Sequence, residues 1–277
     1  MRDNKKRLGA NNDQDSAAPS TQIAPGLNFV VPTEFVELPS KGKLYPSSHP
    51  LHNQEVIEIK QMTAKEEDIL TSESLIKNGV VLHRFIESVI VDENIDPLSI
   101  LSCDRNAIVV WSRIYGYGAE YETMFQCPSC EKREKTFFDL RESLVGNEGV
   151  DLNLEGFELS EGGNLILTLP STGWKVECNM LNGYSEKKVT SREKRNKNIS
   201  MASSQMKMII KSINGHEDKH IVSQAIGVMP AKDALHLRTK YQEFYPTLEL
   251  RHNFICDTCD FSQEVEVPIT ADFFWIK

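Results

Sequence analysis

Four of the six cysteines in this chain fall in two Cys-x-x-Cys pairs, Cys127/Cys130 and Cys256/Cys259, with more than a hundred residues between the pairs. Each pair sits inside strand-like alternation. Tyr121, Thr123 and Phe125 share one face before the first pair. Leu248, Leu250, His252 and Phe254 do so before the second, and Val265, Val267 and Ile269 alternate with Glu264 and Glu266 after it. Alternation of period two on both sides of a short turn predicts a β-hairpin. Two cysteines with two residues between them at a hairpin tip can aim both sulfurs at one point. Two such tips supply the four thiolates of a tetrahedral zinc site. The expectation is one structural zinc per chain, held by Cys127, Cys130, Cys256 and Cys259.

The long separation does not defeat that expectation. A common zinc ribbon places its pairs about 15–20 residues apart. Loop closure grows only with the logarithm of length, so the longer loop costs roughly 1.5–2 kcal/mol more. A structural zinc contributes on the order of 10 kcal/mol. Two other readings stay open: a thiol redox pair, which lacks a βαβ setting here, and two metal-free hairpins. His252 could substitute as a ligand, although its place in a strand suits a structural role. Cys103 and Cys178 stand alone and read as small buried apolar side chains.

Metal is preferred to disulfide because the chain reads as a soluble protein that is not exported. Its N-terminus, MRDNKKRLGANNDQDSAAPSTQ, has basic residues but no apolar stretch behind them, so it is not a secretory signal. No apolar run approaches the length of a membrane span. The formal net charge of −9 argues against broad binding to nucleic acid or acidic lipid.

The 277 residues suffice for one large domain or two small ones. Residues 1–26 are polar and aperiodic, and are expected to be a disordered tail whose Arg2, Lys5, Lys6 and Arg7 could touch an acidic partner. Residues 27–118 are expected to form an extended arm followed by a helical subdomain. Pro32, Pro39, Pro46 and Pro50 forbid a long helix in the arm. Val56, Ile57 and Ile59 make a short strand, and Thr63 with Glu66 has capping-box spacing. Val81, Leu82, Phe85, Ile86, Val89 and Ile90 form a helical stripe, as do Ala107, Ile108, Trp111, Ile114 and Tyr115. Residues 119–140 are the first CxxC hairpin. Residues 141–246 read as an inserted α/β region, with a hairpin turning at Pro170 to Gly173, a helical stripe of Met206, Ile209, Ile210 and Ile213, and a helix opened by Pro230. Residues 247–277 hold the second hairpin and a C-terminal segment. The fold class is therefore α+β: a helical N-terminal subdomain, a bipartite zinc-ribbon-like antiparallel β region and an inserted α/β segment.

Other motifs offer chemistry and then lack its context. His216-Glu217-Asp218-Lys219-His220 matches H-E-x-x-H, but it follows the turn signal Asn214-Gly215, and Ser223 and Ile226 stand where a metzincin needs Gly and His. Lys187, Lys188, Arg192, Lys194, Arg195 and Lys197 are interrupted by acidic residues and lack interleaved aromatics, so a solvated helix face is expected. Met201, Met206 and Met208 read as core or as an adaptable contact surface. No catalytic residues are assigned.

Several stretches taken together resemble a known family. They are FVELPSKGKLYPSSHPL, VIEIKQMTAKEEDILTS, DRNAIVVWSRIYGYGAEYE leading into CPSC, MPAKDALHLRTKY, and CDTC with VPITADFFWIK. The chain from about Phe35 onward resembles the baseplate hub assembly proteins of T-even-like contractile-tailed phages. The resemblance implies a non-enzymatic role in building the tail baseplate hub through contacts with other hub proteins. It implies assembly in the host cytoplasm, followed either by residence in the virion baseplate or by departure as a chaperone-like factor. The alternative is a zinc-ribbon nucleic-acid-binding or transcription adaptor protein, against which the acidic balance counts. Val36 to Pro39 and Phe273 to Ile276 are the candidate contact segments, although a dense aromatic end such as the second more often packs on its own domain.

Overall fold

Helix α4, Ser102–Tyr117, is the element around which the others gather, and its composition explains why. Cys103, Ala107, Ile108, Val109, Val110 and Ile114 point in several directions around it, and all are buried. A helix that is apolar on most sides must be covered on most sides. The computed structural model describes residues 30–146, 157–193, 201–267, 269 and 271–274; the expected tail, residues 1–26, lies outside them. The chain divides into two units, residues 1–31 and residues 32–277, and the second is the one followed below. Its architecture is α+β, with helices beside small antiparallel sheets.

Strands β1, Thr33–Glu37, and β2, Val56–Lys60, pair antiparallel and turn Val36, Ile57 and Ile59 inward. Between them the arm folds back tightly on Gly42, whose φ is +69°. A Cβ there would meet the Gln54 nitrogen at 2.4 Å and the Leu51 oxygen at 2.5 Å, so only glycine fits. The arm is fastened to α4 at a buried carboxylate. Asp104 accepts hydrogen bonds from the Ser40 N–H at 3.0 Å, the Ser40 hydroxyl at 2.6 Å and the Tyr45 hydroxyl at 2.7 Å. Tyr45 in turn accepts from the Leu101 N–H at 3.0 Å, at the start of α4. Burial pushes the Asp104 carboxyl up, against the opposing pull of the Ser40 and Tyr45 bonds.

Helix α1, Ala64–Thr71, opens with the expected capping box of Thr63 and Glu66. Short α2, Glu73–Asn78, ends at Gly79, and α3, Val81–Val89, buries Val81, Phe85, Ile86 and Val89. Beyond α4, β3, Glu120–Gln126, and β4, Arg133–Asp139, form the first CxxC hairpin. Strand β5, Leu144–Gly146, leaves that hairpin to join another sheet.

The segment between the hairpins contains β6, Glu158–Leu159, β7, Leu165–Thr168, and β8, Lys175–Cys178, then α5, Gly183–Glu193, and α6, Met201–Ile209. Strand β9, Ile210–Ile213, completes a sheet of order β6-β7-β8-β9. Here the expected helical stripe is corrected. Met206 and Ile209 are helical, but Ile210 and Ile213 belong to the strand, paired with Cys178 and Val176. β-Branched residues suit a strand, and β8 offered an open edge to pair. Helices α7, Lys219–Val228, and α8, Ala231–Phe244, follow. Pro230 is the N-cap of α8 rather than its first turn. Asp233 ties α8 to the β7–β8 turn by accepting from the Ser171 and Thr172 N–H groups and the Thr172 hydroxyl. Strands β10, Leu248–Ile255, and β11, Ser262–Glu266, form the second CxxC hairpin, with β5 on the outer edge of β10. A short 3-10 turn, Ala271–Phe274, closes the described chain.

Candidate metal centre

The two knuckles are built alike, bond for bond. In the first, the Cys127 N–H donates to the Lys132 carbonyl at 2.8 Å and the Glu131 N–H to the Cys127 carbonyl at 2.9 Å. In the second, the Cys256 N–H donates to the Phe261 carbonyl at 2.9 Å and the Asp260 N–H to the Cys256 carbonyl at 3.0 Å. Each tip closes through a left-handed residue just after its second cysteine, Glu131 at φ 59° and Asp260 at φ 54°. Backbone N–H groups then turn onto sulfur: those of Ser129 and Cys130 onto Cys127, and those of Thr258 and Cys259 onto Cys256. Such bonds favour thiolate over thiol.

The tips meet. Cys127 Sγ lies 3.7 Å from Cys259 Sγ, and Cys130 Sγ lies 3.6 Å from Cys256 Sγ. All four sulfurs fall within 4.8 Å of one another. A disulfide needs sulfurs ~2.05 Å apart. A tetrahedral ion bonded at ~2.3 Å separates its sulfurs by ~3.8 Å. The observed spacing matches the second figure, so the donor set fits zinc in number, softness and geometry. Cys127 and Cys256 are buried, while Cys130 and Cys259 are exposed. Burial raises the Cys127 thiol, but the N–H groups of Cys130 and Ser129 and the neighbouring sulfurs outweigh it and bring it down to about 7. Burial pushes the Cys256 thiol up to about 12. Four crowded thiols cannot all ionise alone; a doubly positive ion removes that conflict.

Glu134, on the first hairpin, grips the second knuckle. Its carboxylate accepts from the Asp257 N–H at 2.9 Å and the Thr258 hydroxyl at 2.8 Å, and its Oε1 lies 3.4 Å from Cys256 Sγ. The Asp257 N–H, then Thr258, hold this carboxyl below its usual range. Lys132 adds a bond to Thr258 at 2.6 Å. Sequence reading did not find this tie, since nothing in the spacing of Glu134 and Thr258 links them. Behind the sulfurs the hairpins are joined by rings: Phe125 with Phe254 at 5.7 Å between centroids, then Phe138 stacked on His252 at 4.5 Å. His252 thus has a packing role and lies outside the four-sulfur cluster.

The remaining candidates fall elsewhere. Among the described residues, the four cysteines are the one group of three or more His, Cys, Asp or Glu side chains that could hold a metal ion. Cys103 and Cys178 are buried, the first donating to Asp104 Oδ1 at 3.6 Å. His216 and His220 are exposed, and Asp218 between them caps α7 by accepting from the His220 and Ile221 N–H groups. Lys187 and Lys188 are exposed on α5, whereas Lys194, Arg195 and Lys197 lie outside the described residues. Met206 is core. The first candidate contact segment is corrected: Val36 and Leu38 are inside the core. The second packs on its own domain, as its sequence favoured, with Phe273 and Phe274 buried against Tyr121 and Phe85. Trp275 and Ile276 lie outside the described residues.

No helix among the described residues is long and apolar enough to cross a membrane. No curated protein and no solved structure matches the chain. One family does match, described as T4 bacteriophage base plate protein, and it covers residues 31–275. That span takes in both knuckles and every described strand and helix. The chain therefore belongs to the T4 bacteriophage base plate protein family.

Proposed function

We propose that this baseplate protein is a non-enzymatic subunit or assembly factor of the tail hub, acting through protein–protein contacts and held together by one structural zinc per chain. The family match over residues 31–275 is the observation that carries the reading. The resemblance of the arm, the α4 segment and the closing CDTC segment to hub assembly proteins narrows it to the hub. Assembly takes place in the host cytoplasm, alongside other hub proteins. Cys127, Cys130, Cys256 and Cys259 hold the ion in a zinc-ribbon-like junction of the two hairpins. Zinc supplies a closed, redox-inert tetrahedral tie there. The chain's own contribution is the N–H groups that turn onto sulfur and the Glu134 grip across the junction.

Infection with a phage lacking this gene tests the role. Tail intermediates should accumulate with peripheral baseplate parts formed and the central hub missing. Normal hubs in such an infection would refute the proposal. Mass spectrometry of purified particles then separates a resident subunit from a factor that leaves. Native mass spectrometry of the reduced protein tests the metal: one zinc per chain is expected, and a folded, zinc-free protein would remove that part of the reading.

A further inference from the structure

Each buried sulfur at the knuckles faces an exposed sulfur of the opposite hairpin. Buried Cys127 lies 3.7 Å from exposed Cys259, and buried Cys256 lies 3.6 Å from exposed Cys130. Both contacts cross the junction, spanning 132 and 126 positions of the chain. Closing either one to the ~2.05 Å of a disulfide takes an approach of roughly 1.6 Å.

Two kinds of movement could bring sulfurs together, and they are unequal. The two sulfurs of one knuckle approach only by bending the turn between them. Backbone bonds close that turn: Cys127 N–H to the Lys132 carbonyl and Glu131 N–H to the Cys127 carbonyl in the first, with Cys256, Phe261 and Asp260 repeating the pattern in the second. Glu131 and Asp260 already stand at positive φ, which leaves the turns little room to bend. Across the junction no strand of one hairpin pairs with a strand of the other. The hairpins touch through side chains, among them Glu134, Lys132 and the Phe125–Phe254 pair, and these can slide without unmaking a turn.

We infer that the four cysteines form a peroxide-responsive modification site, in which Cys130 bonds to Cys256 and Cys259 bonds to Cys127. The exposed sulfur meets the oxidant first. Its thiolate takes one oxygen from hydrogen peroxide to give a sulfenic acid, and the hydroxide released picks up the proton that the thiol gave up. The buried sulfur of the opposite hairpin then attacks that sulfur. The S–S bond forms, the S–O bond breaks, and the oxygen leaves as water with the second thiol's proton. For each bond two thiols lose two electrons and two protons, and one peroxide becomes two waters. The sulfurs thereby give up any ion they share. Crossed bonds join hairpin to hairpin, so the junction stays closed afterwards. A bond inside either Cys-x-x-Cys would leave the hairpins free of each other. The inference concerns the sulfurs themselves and stands apart from the hub reading.

Peptide mapping without reduction, on the full chain treated with hydrogen peroxide, tests it, with zinc release followed by a chromophoric chelator. Cys127–Cys259 and Cys130–Cys256 links are expected, and the intact mass should fall by two hydrogens for each bond. Buried Cys103 and Cys178 should remain thiols. The oxidised, zinc-free chain should keep slow hydrogen exchange in β3, β4, β10 and β11, whereas chelation of the reduced chain should unprotect them. Links within Cys127/Cys130 and Cys256/Cys259 overturn the inference, as does an even mixture of pairings, or sulfinic acid with no bond. Loss of protection on oxidation overturns it too. Cys127→Ser with Cys259→Ser keeps one crossed pair and should close on the order of tenfold faster than Cys256→Ser with Cys259→Ser, which keeps a single knuckle; equal rates count against the inference. Where a variant fails to fold, the mapping of the parent chain decides by itself. Zinc counted before oxidation tests the metal separately: crossed links in a chain that never held zinc refute the metal reading and support this one.

Discussion

The chain joins distant segments in two places, and it does so by opposite means. At the knuckles, residues more than a hundred apart meet at a tip where Cys130 and Cys259 are exposed and the local core is only Cys127, Phe254 and Cys256 with a few flanking side chains. At the start of α4, Ser40 and Tyr45 reach Asp104 inside a continuous apolar core that includes Leu44, Ile100 and Leu101. The first junction has little apolar area of its own, and under the proposed function it is closed by four sulfurs sharing an ion. The second is already held by burial, so its polar bonds choose which arrangement of the arm is buried. An exposed junction is a matter of affinity; a buried one is a matter of fit.

That contrast can be broken from its stronger side first. Cys256→Ser with Cys259→Ser, or chelation of the parent, should release the ion and let the amides of β3, β4, β10 and β11 exchange at nearly unprotected rates. The amides of α3 and α4 should keep their protection in the same hydrogen-exchange experiment. Equal loss in both regions would mean that the knuckles and the helical core are one cooperative unit. Next in size is Asp104→Ala, which leaves the Ser40 N–H, the Ser40 hydroxyl and the Tyr45 hydroxyl without their acceptor. It should lower stability by about 2–4 kcal/mol in urea titrations while zinc content is unchanged. A smaller effect is expected from Glu134→Ala. The fold should persist, but competition with a chromophoric chelator should show zinc held roughly tenfold less tightly. The least effect belongs to Glu131→Gly, which relieves a side chain at positive φ and should raise stability by up to about 1 kcal/mol, visible as a small upward shift in melting temperature.

Local chemistry made much of the fold legible. Thr63 and Glu66 announced a helix start because both halves of a capping box lie within one turn. The alternation on each side of Cys127 and Cys256 announced two hairpins, and the β7–β8 hairpin was readable for the same reason. What escaped was decided at a distance. Ile210 and Ile213 carry a helical stripe, yet an open edge of β8 claimed them for a sheet. Nothing in the sequence marks the role of Asp104, whose place is set by Ser40 and Tyr45 folding over it. Val36 and Leu38 read as part of a candidate contact segment, yet the core closes around them. The clustering of the four cysteines was readable from spacing, whereas the Glu134 grip was not, because its partners Asp257 and Thr258 are brought to it by the other hairpin. Nor does residue type mark Glu131 as left-handed, although Asp260 is of a type that tolerates that region; the closing of each knuckle puts both there.

The meeting of Cys130 and Cys256 across 126 positions also decides how the molecule carries tension. With the four sulfurs on one ion, a pull applied to the two ends passes from the first hairpin straight into the second, and the sheet of β6 to β9 with helices α5 to α8 hangs outside the load path. If the four cysteines hold an ion as proposed, a bypass of this kind leaves the intervening segment of the chain unstrained until the ion lets go. Stretched in an optical trap, the zinc-loaded protein should lengthen first by the arm and helices α1 to α4. The segment between the knuckles should follow only in a later, abrupt step. Removing the metal should merge the two steps into a gradual extension.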